Sequence, residues 1–367
     1  MKISFLSLLL LLSIGVQGQV LTIPDANFKN ALLHTNCVDT NNDGFGEFDA
    51  DTNNDGEIDT NEALAVTGLI LFNQNITSLE GIEHFTNLEI LLCNTNNLNS
   101  LNLGQNTSLI HLNCGGNNLT NLDISANSLL TTLKCFGNNL TTLNTSNNPN
   151  LTYLNCSSNQ LNNIEISQNS NLDWLICSSN PLTNIDVSQN TYLTNIYCRD
   201  TQIGSIDVSQ NSLLTGIWCS DNPNLTSLNL ANGNNANLNR MFAQNNPNLS
   251  CIQVDDLSVI RNYCNYDNED FNGWCKDSST SYSTSCANSI SNESSNNIII
   301  FPSPAHTTLQ IKYDNSIQKI QIYNTQGILI FHGIYQNNID VSKLASGIYF
   351  IKIKTKSGVI TKKIVKS

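Results

Sequence analysis

Side chains that could bind a metal ion are concentrated in one stretch, residues 39–62, which holds nine Asp or Glu and no Lys or Arg. From residue 51 to residue 62, carboxylate or amide oxygens fall at positions 1, 3, 5 and 9, with a Gly at 6 and a Glu at 12. Calcium takes about six to eight oxygen ligands, and a loop with this spacing can wrap around one ion. The predicted ligands of a structural Ca²⁺ are Asp51, Asn53, Asp55, Glu57, Asp59 and Glu62.

A second, incomplete loop precedes this one. Its oxygens come from Asp39, Asn41 and Asp43, but Ala50 stands at position 12, where a bidentate Glu would close the loop. The later loop resembles that of an EF-hand, and the earlier run, D-T-N-N-D-G-F-G-E, resembles the calcium loops of thrombospondin type 3 repeats. An acidic, solvated turn without an ion is the alternative for both. Because no pair of long helices flanks the loops, any ion would be structural and not a switch.

A helix pattern lies just before the acidic stretch. Residues 23–33 have apolar residues at helical spacing, and Asp25 stands where an N-cap would be. Together with the loops, this helix forms the predicted N-terminal cap, residues 19–65, because an open repeat array needs its ends covered.

Charge is distributed unevenly along the 367 residues. Residues 19–300 hold 6 Lys/Arg against 27 Asp/Glu, a net charge of −21, and residues 301–367 hold 9 against 2, a net charge of +7. Phosphate binding needs a basic face, so the acidic body argues against nucleic acid as a partner. Charged residues are 12% and hydrophobic residues 40% of the chain, which excludes a highly charged disordered protein.

Residues 1–18 have the pattern of an export signal. Lys2 precedes an apolar run over residues 3–16, and Val16-Gln17-Gly18 offers a small-residue cleavage site. We expect the signal to direct the chain through the inner membrane and to be removed; an uncleaved anchor is the alternative. No later stretch reaches about 18 apolar residues, so no membrane span is predicted in the mature chain.

Seven cysteines recur at a constant interval of 21 residues: Cys93, Cys114, Cys135, Cys156, Cys177, Cys198 and Cys219. The aligned unit reads L-x-x-L-x-C-x-x-N-x-L-x-x-L-x-(L/I/V)-x-x-N-x-x, with a longer variant upstream and a degenerate copy near Leu238. Such a fixed period indicates a solenoid. The second Leu and the Cys, two residues apart, point inward from a short strand, and successive copies stack as parallel strands about 4.8 Å apart.

This unit resembles a leucine-rich repeat with cysteine in place of the third leucine, as in the internalin J class of bacterial surface proteins. The resemblance covers residues 66–250 and implies a right-handed horseshoe or arc with a parallel β-sheet on its concave face. For the cysteine column, metal or redox chemistry competes with packing. Packing is favoured because no His accompanies the column and no C-x-x-C occurs.

Two columns of asparagine repeat with the same period. A buried Asn amide can bond the backbone of the turn that ends each strand, so polar side chains can recur at an inward position. The first column is Asn96, Asn117, Asn138, Asn159, Asn180 and Asn222, with Thr201 in the missing place. The second is Asn106, Asn127, Asn148, Asn169, Asn190 and Asn211.

Residues 251–288 form the predicted C-terminal cap. They contain four cysteines: Cys251, Cys264, Cys275 and Cys286. An even number of cysteines in an exported, loop-rich segment indicates two disulfides, and three pairings are possible. Our preferred pairing is nested, with Cys251–Cys286 enclosing Cys264–Cys275, and Cys37 is left over or pairs locally.

The remaining C-terminal part consists of a polar linker, residues 289–300, and alternating strand patterns over residues 301–367. Residues 301–367 are similar to the type A sorting domain of the type IX secretion system. The matching residues are Pro302, Pro304, Gly327, Gly347, Tyr349, Lys362 and Lys363. The resemblance implies a small β-sandwich that the type IX machinery recognises at the outer membrane of a Gram-negative bacterium and removes at the surface. The expected location is therefore the outer-membrane surface or the extracellular space.

Outward positions of the strands bring aromatic side chains together on the concave face. The predicted ligand-binding residues are Tyr153, Trp174, Ile176, Tyr197, Trp218 and Arg199. Repeat stacking places Tyr153 beside Trp174, and Tyr197 between Ile176 and Trp218, in a patch that we expect to be exposed. Clustered exposed aromatics indicate an interaction site, whereas cross-strand pairing that only stabilises the sheet is the alternative.

These features favour a non-catalytic binding protein or adhesin that recognises a protein or a glycan. A secreted hydrolase is the alternative, but the five His are scattered and neither G-x-S-x-G nor H-E-x-x-H occurs. A structural or ice-binding solenoid is a third hypothesis. It would use a threonine column: Thr120, Thr141, Thr183 and Thr226.

Overall fold

The structure, a computed structural model, describes the greater part of the chain: residues 18–261, 263–264, 273–286, 299–301, 305–312, 317–333, 338–355 and 359–366. Two compact units divide at residue 288. The export signal (except Gly18), most of the linker, Pro302 and Pro304 lie outside the described residues. Within the described part, no helix is long and apolar enough to cross a membrane.

In the described part of the first unit, two short helices, α1 (Ala26–His34) and α2 (Thr60–Ala65), precede the strands. The carboxylate of Asp25 accepts hydrogen bonds from the backbone N–H groups of Asn27 and Phe28, each at 2.9 Å. Asp25 is therefore the N-cap of α1, which confirms the prediction. The helix covers the first coil of the solenoid through buried apolar side chains such as Phe28.

Fourteen short strands follow α2 in the first unit: β1 (Gly68–Ile70), β2 (Ile90–Leu92), β3 (His111–Asn113), β4 (Thr132–Lys134), β5 (Tyr153–Asn155), β6 (Trp174–Ile176), β7 (Asn195–Tyr197), β8 (Ser205–Asp207), β9 (Gly216–Trp218), β10 (Ser227–Asn229), β11 (Arg240–Ala243), β12 (Cys251–Gln253), β13 (Gly273–Lys276) and β14 (Ser281–Ser283). Three 3₁₀ segments accompany them: Ile82–His84, Asn235–Asn237 and Leu257–Val259. The parallel strands confirm the predicted repeat solenoid.

Ten of these strands form one parallel sheet in the order β1-β2-β3-β4-β5-β6-β7-β9-β11-β13. A second parallel sheet has four strands in the order β14-β12-β10-β8. From β7 onward, consecutive strands alternate between the sheets, so each coil contributes one strand to each. From β2 to β9 the register advances by one 21-residue repeat per strand, as in Leu154 opposite Leu175.

The interior of the solenoid is built from the repeated Leu and Cys positions. In each 21-residue repeat the middle residue of the strand and the cysteine two positions later are buried, as are Leu175 and Cys177 in β6 and after it. All seven column cysteines are free thiols in the core. The column therefore packs the interior, as predicted, because each thiol meets apolar side chains and its own counterparts in the adjacent coils.

The first asparagine column bonds the backbone, as predicted. The Asn138 amide N–H₂ donates to the carbonyls of Cys135, at 3.1 Å, and Cys114, also at 3.1 Å, and its Oδ1 accepts from the N–H of Leu119 at 3.0 Å. The same pattern recurs in the adjacent coils, as for Asn159. Each side chain thus ties the turn after its own strand to the preceding coil.

In the second asparagine column, most side chains form hydrogen bonds through the N–H₂ group and not through the oxygen. Asn127 is fully buried, and its N–H₂ donates to the carbonyls of Asn106 at 2.8 Å and Leu103 at 3.1 Å. Its Oδ1 has no hydrogen-bond partner within the described residues, and four other members share this state. In Asn169 alone the oxygen accepts a bond, from the hydroxyl of Thr145 at 2.7 Å.

The parallel sheets do not stop at residue 250. Strands β12 and β14 extend the four-stranded sheet, and β13 extends the ten-stranded sheet through pairing with β11. The described residues of the segment 251–288 therefore continue the two sheets of the solenoid. The two disulfides are Cys251–Cys286 and Cys264–Cys275, which confirms the nested pairing.

The described residues of the second unit form seven strands: β15 (Ile299–Phe301), β16 (Thr308–Lys312), β17 (Ile317–Asn324), β18 (Leu329–Gly333), β19 (Asn338–Asp340), β20 (Gly347–Thr355) and β21 (Val359–Lys366). They form two antiparallel sheets, β15-β16-β19 and β18-β17-β20-β21. One apolar cluster includes Leu309 from the first sheet and Ile320 and Ile351 from the second, so the sheets share a core, as in the predicted β-sandwich.

Candidate functional site

The outward side of the ten-stranded sheet carries a continuous row of rings, which we call the aromatic ladder. In β3, β4, β5 and β6 the middle residue is buried and the flanking residues are half-buried or exposed, because successive side chains alternate across a sheet. The ladder consists of Tyr153, Trp174, Tyr197, Trp218 and Phe242.

Neighbouring rings in the ladder are close to parallel. From Tyr153 to Trp174 the centroids are 6.1 Å apart, and from Trp174 to Tyr197 they are 5.9 Å apart. The tightest pair is Tyr197 and Trp218, at 4.0 Å with an angle of 6° between the planes. Phe242 follows Trp218 at 5.8 Å. Offset stacking of this kind stabilises aromatic pairs beyond their burial.

The predicted exposure of this patch is wrong. The four rings from Tyr153 to Trp218 are half-buried, and Phe242 is buried, because each ring covers a face of its neighbour. The predicted neighbours Tyr153 and Trp174, and Tyr197 and Trp218, do stack, but Tyr197 separates the two tryptophans. The ladder therefore offers ring edges to solvent more than ring faces.

Two members of this surface lacked a clear sequence signal. Phe242 follows Trp218 by 24 residues and not 21, so the repeat alignment does not place it in the row. Gly216 makes room for the indole of Trp218: a Cβ at Gly216 would lie 2.5 Å from ring atom Cζ3. A glycine in an outward row was the available sign of this close approach.

Polar side chains surround the ladder. Lys134 Nζ lies 5.3 Å from the ring centroid of Tyr153, a cation–π contact. His111 is on the next strand, and burial together with the Lys134 ammonium lowers the pKa of its imidazole. The exposed Arg199 forms an ion pair with Asp221 at 3.0 Å, so this predicted ligand residue is partly engaged within the chain. Ile176 lies opposite Tyr197 and is half-buried.

Carboxylates on the other side of the solenoid accept hydrogen bonds from the backbone of its turns. Asp186 and Asp207 line an open pocket near β8. The Asp186 carboxylate accepts a hydrogen bond from the N–H of Ser188 at 2.9 Å, which lowers the pKa of Asp186. A general acid of a glycosidase needs a raised pKa, so this arrangement gives no support to a hydrolase.

The threonine column is exposed but interrupted. At the 21-residue spacing, Asn162 follows Thr141 and Gly204 follows Thr183. A regular threonine array does not form.

The first acidic loop brings three carboxylates together. Ligand oxygens of Asp39, Asp43 and Glu47 lie within 4.8 Å of one another. Asp39 is fully buried, and its two oxygens accept from the N–H groups of Asn42 at 2.7 Å and Gly44 at 2.9 Å. Three carboxylates this close repel one another unless a cation or protons neutralise them, so the donor set fits Ca²⁺.

Glu47 was not among the predicted ligands. Its carboxylate stands at position 9 of the first loop, and Ala50 at position 12 offers no side-chain oxygen. The available signal was the run D-T-N-N-D-G-F-G-E, which ends at Glu47. The predicted Asn41 is nearby, and its amide donates to the Asp43 carboxylate at 3.1 Å.

The second acidic loop uses several of its predicted ligands for its own structure. Asp59 is the N-cap of α2, and Glu62 completes the capping box by accepting from the Asp59 N–H at 3.0 Å. The Glu57 carboxylate pairs with Lys29 at 2.6 Å.

The other predicted ligands of this loop bind its backbone. The Asp51 carboxylate accepts hydrogen bonds from the N–H groups of Asp55 and Gly56. The side-chain oxygen of Asn53 also accepts from the N–H of Asp55. Among the described residues, no second group of three carboxylates converges as in the first loop.

Chemistry at the cysteine column is disfavoured by its environment. Burial raises the pKa of Cys114, Cys156 and Cys198 to about 12. A thiol at such a pKa is almost entirely protonated at neutral pH, and the thiolate is the reactive form.

The 21-residue coils and their parallel strands define a leucine-rich repeat solenoid with a cysteine column. The chain is similar to internalin InlF from Listeria monocytogenes, at 21% identity and a TM-score of 0.44 over 65% of this chain and 78% of that one. It is also similar to internalin C2 (21%, TM-score 0.46, 68% and 94%) and to the functional domain of InlJ, which includes a cysteine ladder (20%, TM-score 0.27, 96% and 99%), from the same organism. No curated protein matches the chain.

Residues 299–367 match the family model of the secretion system C-terminal sorting domain. The second unit is therefore a sorting domain, which indicates export to the cell surface or the extracellular space. Of its predicted residues, Gly327 has a left-handed conformation with φ of 80°, and the Tyr349 hydroxyl donates to the carbonyl of Ala345 at 2.9 Å. Gly347 begins β20, and Lys362 and Lys363 are exposed on β21.

Proposed function

We propose that this exported leucine-rich repeat protein is a non-catalytic binding protein that recognises a protein or glycan ligand on its aromatic ladder. The observation that carries the proposal is the ladder itself: five stacked rings on the outward face of one sheet. Tryptophan and tyrosine supply most of the energy at many interfaces because they bury a large area with few rotors to fix. Stacking holds these rings in place before a ligand arrives, which lowers the entropy cost of binding.

The test is a binding screen on arrays of surface proteins and glycans with three proteins: the wild type, Trp174→Ala and Trp218→Ala. A ligand found with the wild type should lose at least about 30-fold in affinity in either variant, equivalent to about 2 kcal/mol. Both variants should keep cooperative melting, since the inward Leu and Cys positions are unchanged. Unchanged affinity in both variants would reject the ladder as the site.

We also propose that Ca²⁺ stabilises the N-terminal cap, through Asp39, Asp43 and Glu47 in the first loop and Asp51 and Asp55 in the second. Support comes from the convergent carboxylates of the first loop and from the left-handed glycines that both loops share, Gly44 with φ of 85° and Gly56 with φ of 83°. A ligand that binds only the folded state raises stability by mass action.

The measurement is the difference in melting temperature between calcium and a chelator. We expect calcium to raise the melting temperature clearly in the wild type and less in Glu47→Gln. Glu62→Gln serves as a further comparison: it also weakens the capping box, so its melting temperature should fall both with calcium and with chelator. Identical wild-type curves with calcium and with chelator would contradict the calcium proposal.

For the sorting domain, we propose recognition by the type IX secretion machinery followed by removal at the surface, after an N-terminal signal has carried the chain through the inner membrane. Deletion of residues 301–367 should trap the protein in the periplasm, and mass spectrometry of the exported protein should show a chain without this domain. Normal surface display of the deletion variant would rule out the sorting role.

A further inference from the structure

The ten-stranded sheet differs in charge from the acidic body that contains it. Residues 19–300 hold 6 Lys/Arg and 27 Asp/Glu. Within the bounds of the ten strands, however, there is no Asp or Glu, whereas Lys134, Arg240 and Lys276 are present. Lys276 is engaged by the chain, since its Nζ donates to the carbonyl of Thr280 at 2.5 Å. The other two cations belong to the face that carries the aromatic ladder.

These two cations lie at opposite ends of the ladder. Lys134 covers the ring of Tyr153, and Arg240 stands two residues before Phe242 and opposite Gly216. Neither cation forms an ion pair in the part of the chain that the structure describes. The Nε of Arg240 is also buried without a hydrogen-bond partner there. A desolvated guanidinium N–H without an acceptor is costly, so a ligand that supplies a carboxylate oxygen is favoured.

Between the cations, the strands of the ladder offer hydrogen-bond donors and contain no carboxylate, and the Asp221 carboxylate beside the ladder is paired with Arg199. The indole N–H groups of Trp174 and Trp218 and the hydroxyls of Tyr153 and Tyr197 make no hydrogen bond within the described residues. Burial raises the pKa of both tyrosines, so their hydroxyls stay protonated. The edges of aromatic rings are the positive end of the ring quadrupole. The whole row therefore complements a ligand rich in negative charge and acceptors.

The packing of the rings decides between an acidic glycan and an acidic protein. Sugars bind aromatic side chains by lying on a free ring face, but the rings from Trp174 to Trp218 have neighbours on both sides, at 6.1 Å or less. The ring of Tyr153, at the end of the row, has the Lys134 ammonium over it. An extended peptide needs no ring face, because its carbonyl and carboxylate oxygens can accept from the ring edges.

We propose that the ladder binds a protein partner through an acidic segment whose carboxylates pair with Lys134 and Arg240. This inference rests on the proposed function and specifies its ligand. From β4 to β11 there are five strand steps in the sheet, so the cations are about 24 Å apart at about 4.8 Å per step. About seven residues of extended chain cover that distance.

The probe is a display library of random 12-residue peptides, selected on the full chain. Peptides that the double variant Lys134→Gln/Arg240→Gln also retains are discarded, which removes those held by the basic C-terminal unit. The remaining peptides should be enriched in Asp and Glu relative to the input. A synthetic copy should bind the wild type at least about 10-fold more tightly than the double variant, and Lys319→Gln, an exposed cation of the other unit, should bind like the wild type.

The outcomes separate this inference from the function on which it rests. Selected peptides without an excess of acidic residues, or equal affinity for the double variant, would overturn the acidic partner. Tighter binding of polygalacturonate than of the selected peptide would overturn it in favour of an acidic glycan. If a ligand from the array screen is lost in Trp174→Ala but not in the double variant, the acidic partner is wrong while the ladder remains the site. If its affinity is unchanged in Trp174→Ala, the proposed function itself fails.

Discussion

The two faces of the ten-stranded sheet follow different rules. Inward positions repeat from coil to coil: the middle strand residue is Leu or Ile over most of the sheet, and the residue two positions later is Cys in seven successive coils. Outward positions do not repeat, and the first residue of successive strands changes from His111 to Thr132, Tyr153 and Trp174. Equivalent inward side chains contact equivalent neighbours in each coil, so the same residue type can fill the same space in every coil. Outward side chains lack that constraint, so clustering there needs another explanation, which we assign to binding.

The inward face also contains a contrast of its own, between the two asparagine columns. In the first column, both ends of the amide are bonded, as in Asn138. In the second, Asn127 uses only its N–H₂ group and leaves Oδ1 without a partner among the described residues. Repetition of a polar residue therefore does not require that all of its hydrogen-bonding capacity is satisfied, and the columns should differ in energetic importance.

The largest loss of stability is expected from the core of the sheet. Leu175 is fully buried between the equivalent residues of the adjacent strands, so Leu175→Ala should lower the free energy of unfolding by about 2–5 kcal/mol. Leu129 is 49% exposed, and Leu129→Ala is the matched control, with a change below about 1 kcal/mol. Urea unfolding measures both. Similar losses in the two variants would contradict the account, because burial in the core would then not set the cost.

The next largest effect should separate the asparagine columns. Asn138→Ala removes four hydrogen bonds and leaves the buried Leu119 N–H without an acceptor, so we expect a loss of about 3 kcal/mol. Asn127→Ala removes two bonds together with an oxygen that has no partner, so we expect about half that loss. The same urea experiment decides, and equal losses would show that the unpartnered oxygens carry no cost.

A smaller effect is expected at the single place where the second column is fully bonded. Thr145→Val removes the hydroxyl that donates to Asn169 Oδ1, which makes this coil like its neighbours. The loss should be about 1 kcal/mol, the usual net value of one buried hydrogen bond. Increased stability of the variant would indicate that the free energy lost by burying the threonine hydroxyl exceeds the free energy gained from its hydrogen bonds.

Most of the inward face could be predicted from the sequence, because the 21-residue period fixes both strand register and side-chain direction. The cysteine column, the bonds of the first asparagine column and the pairing of Tyr153 with Trp174 followed from that period. Ring orientation did not, since register places Cβ atoms but not side-chain rotamers. The half-burial of the rings was therefore missed.

Other differences arose where the period breaks. The extension of the ladder to Phe242 was missed because the spacing before this residue is longer than 21. The extension of the sheet by β13 was missed because this strand lacks the repeat pattern. In the first acidic loop, which lacks a Glu at position 12, the carboxylate that lies close to those of Asp39 and Asp43 is Glu47 at position 9. It ends the run D-T-N-N-D-G-F-G-E but was not counted among the predicted ligands.

A small change in stability is also expected on the outward face, and it provides the most direct test. Trp174 and Leu175 are adjacent in sequence and point to opposite sides of β6. We therefore compare Trp174→Ala with Leu175→Ala in melting temperature and in affinity for a ligand from the array screen. Our account predicts that Trp174→Ala melts within a few degrees of the wild type, about 1 kcal/mol, yet loses at least about 30-fold in affinity. Retained affinity, or a fall in stability as large as that of Leu175→Ala, would contradict it and make the aromatic ladder a structural element of the sheet.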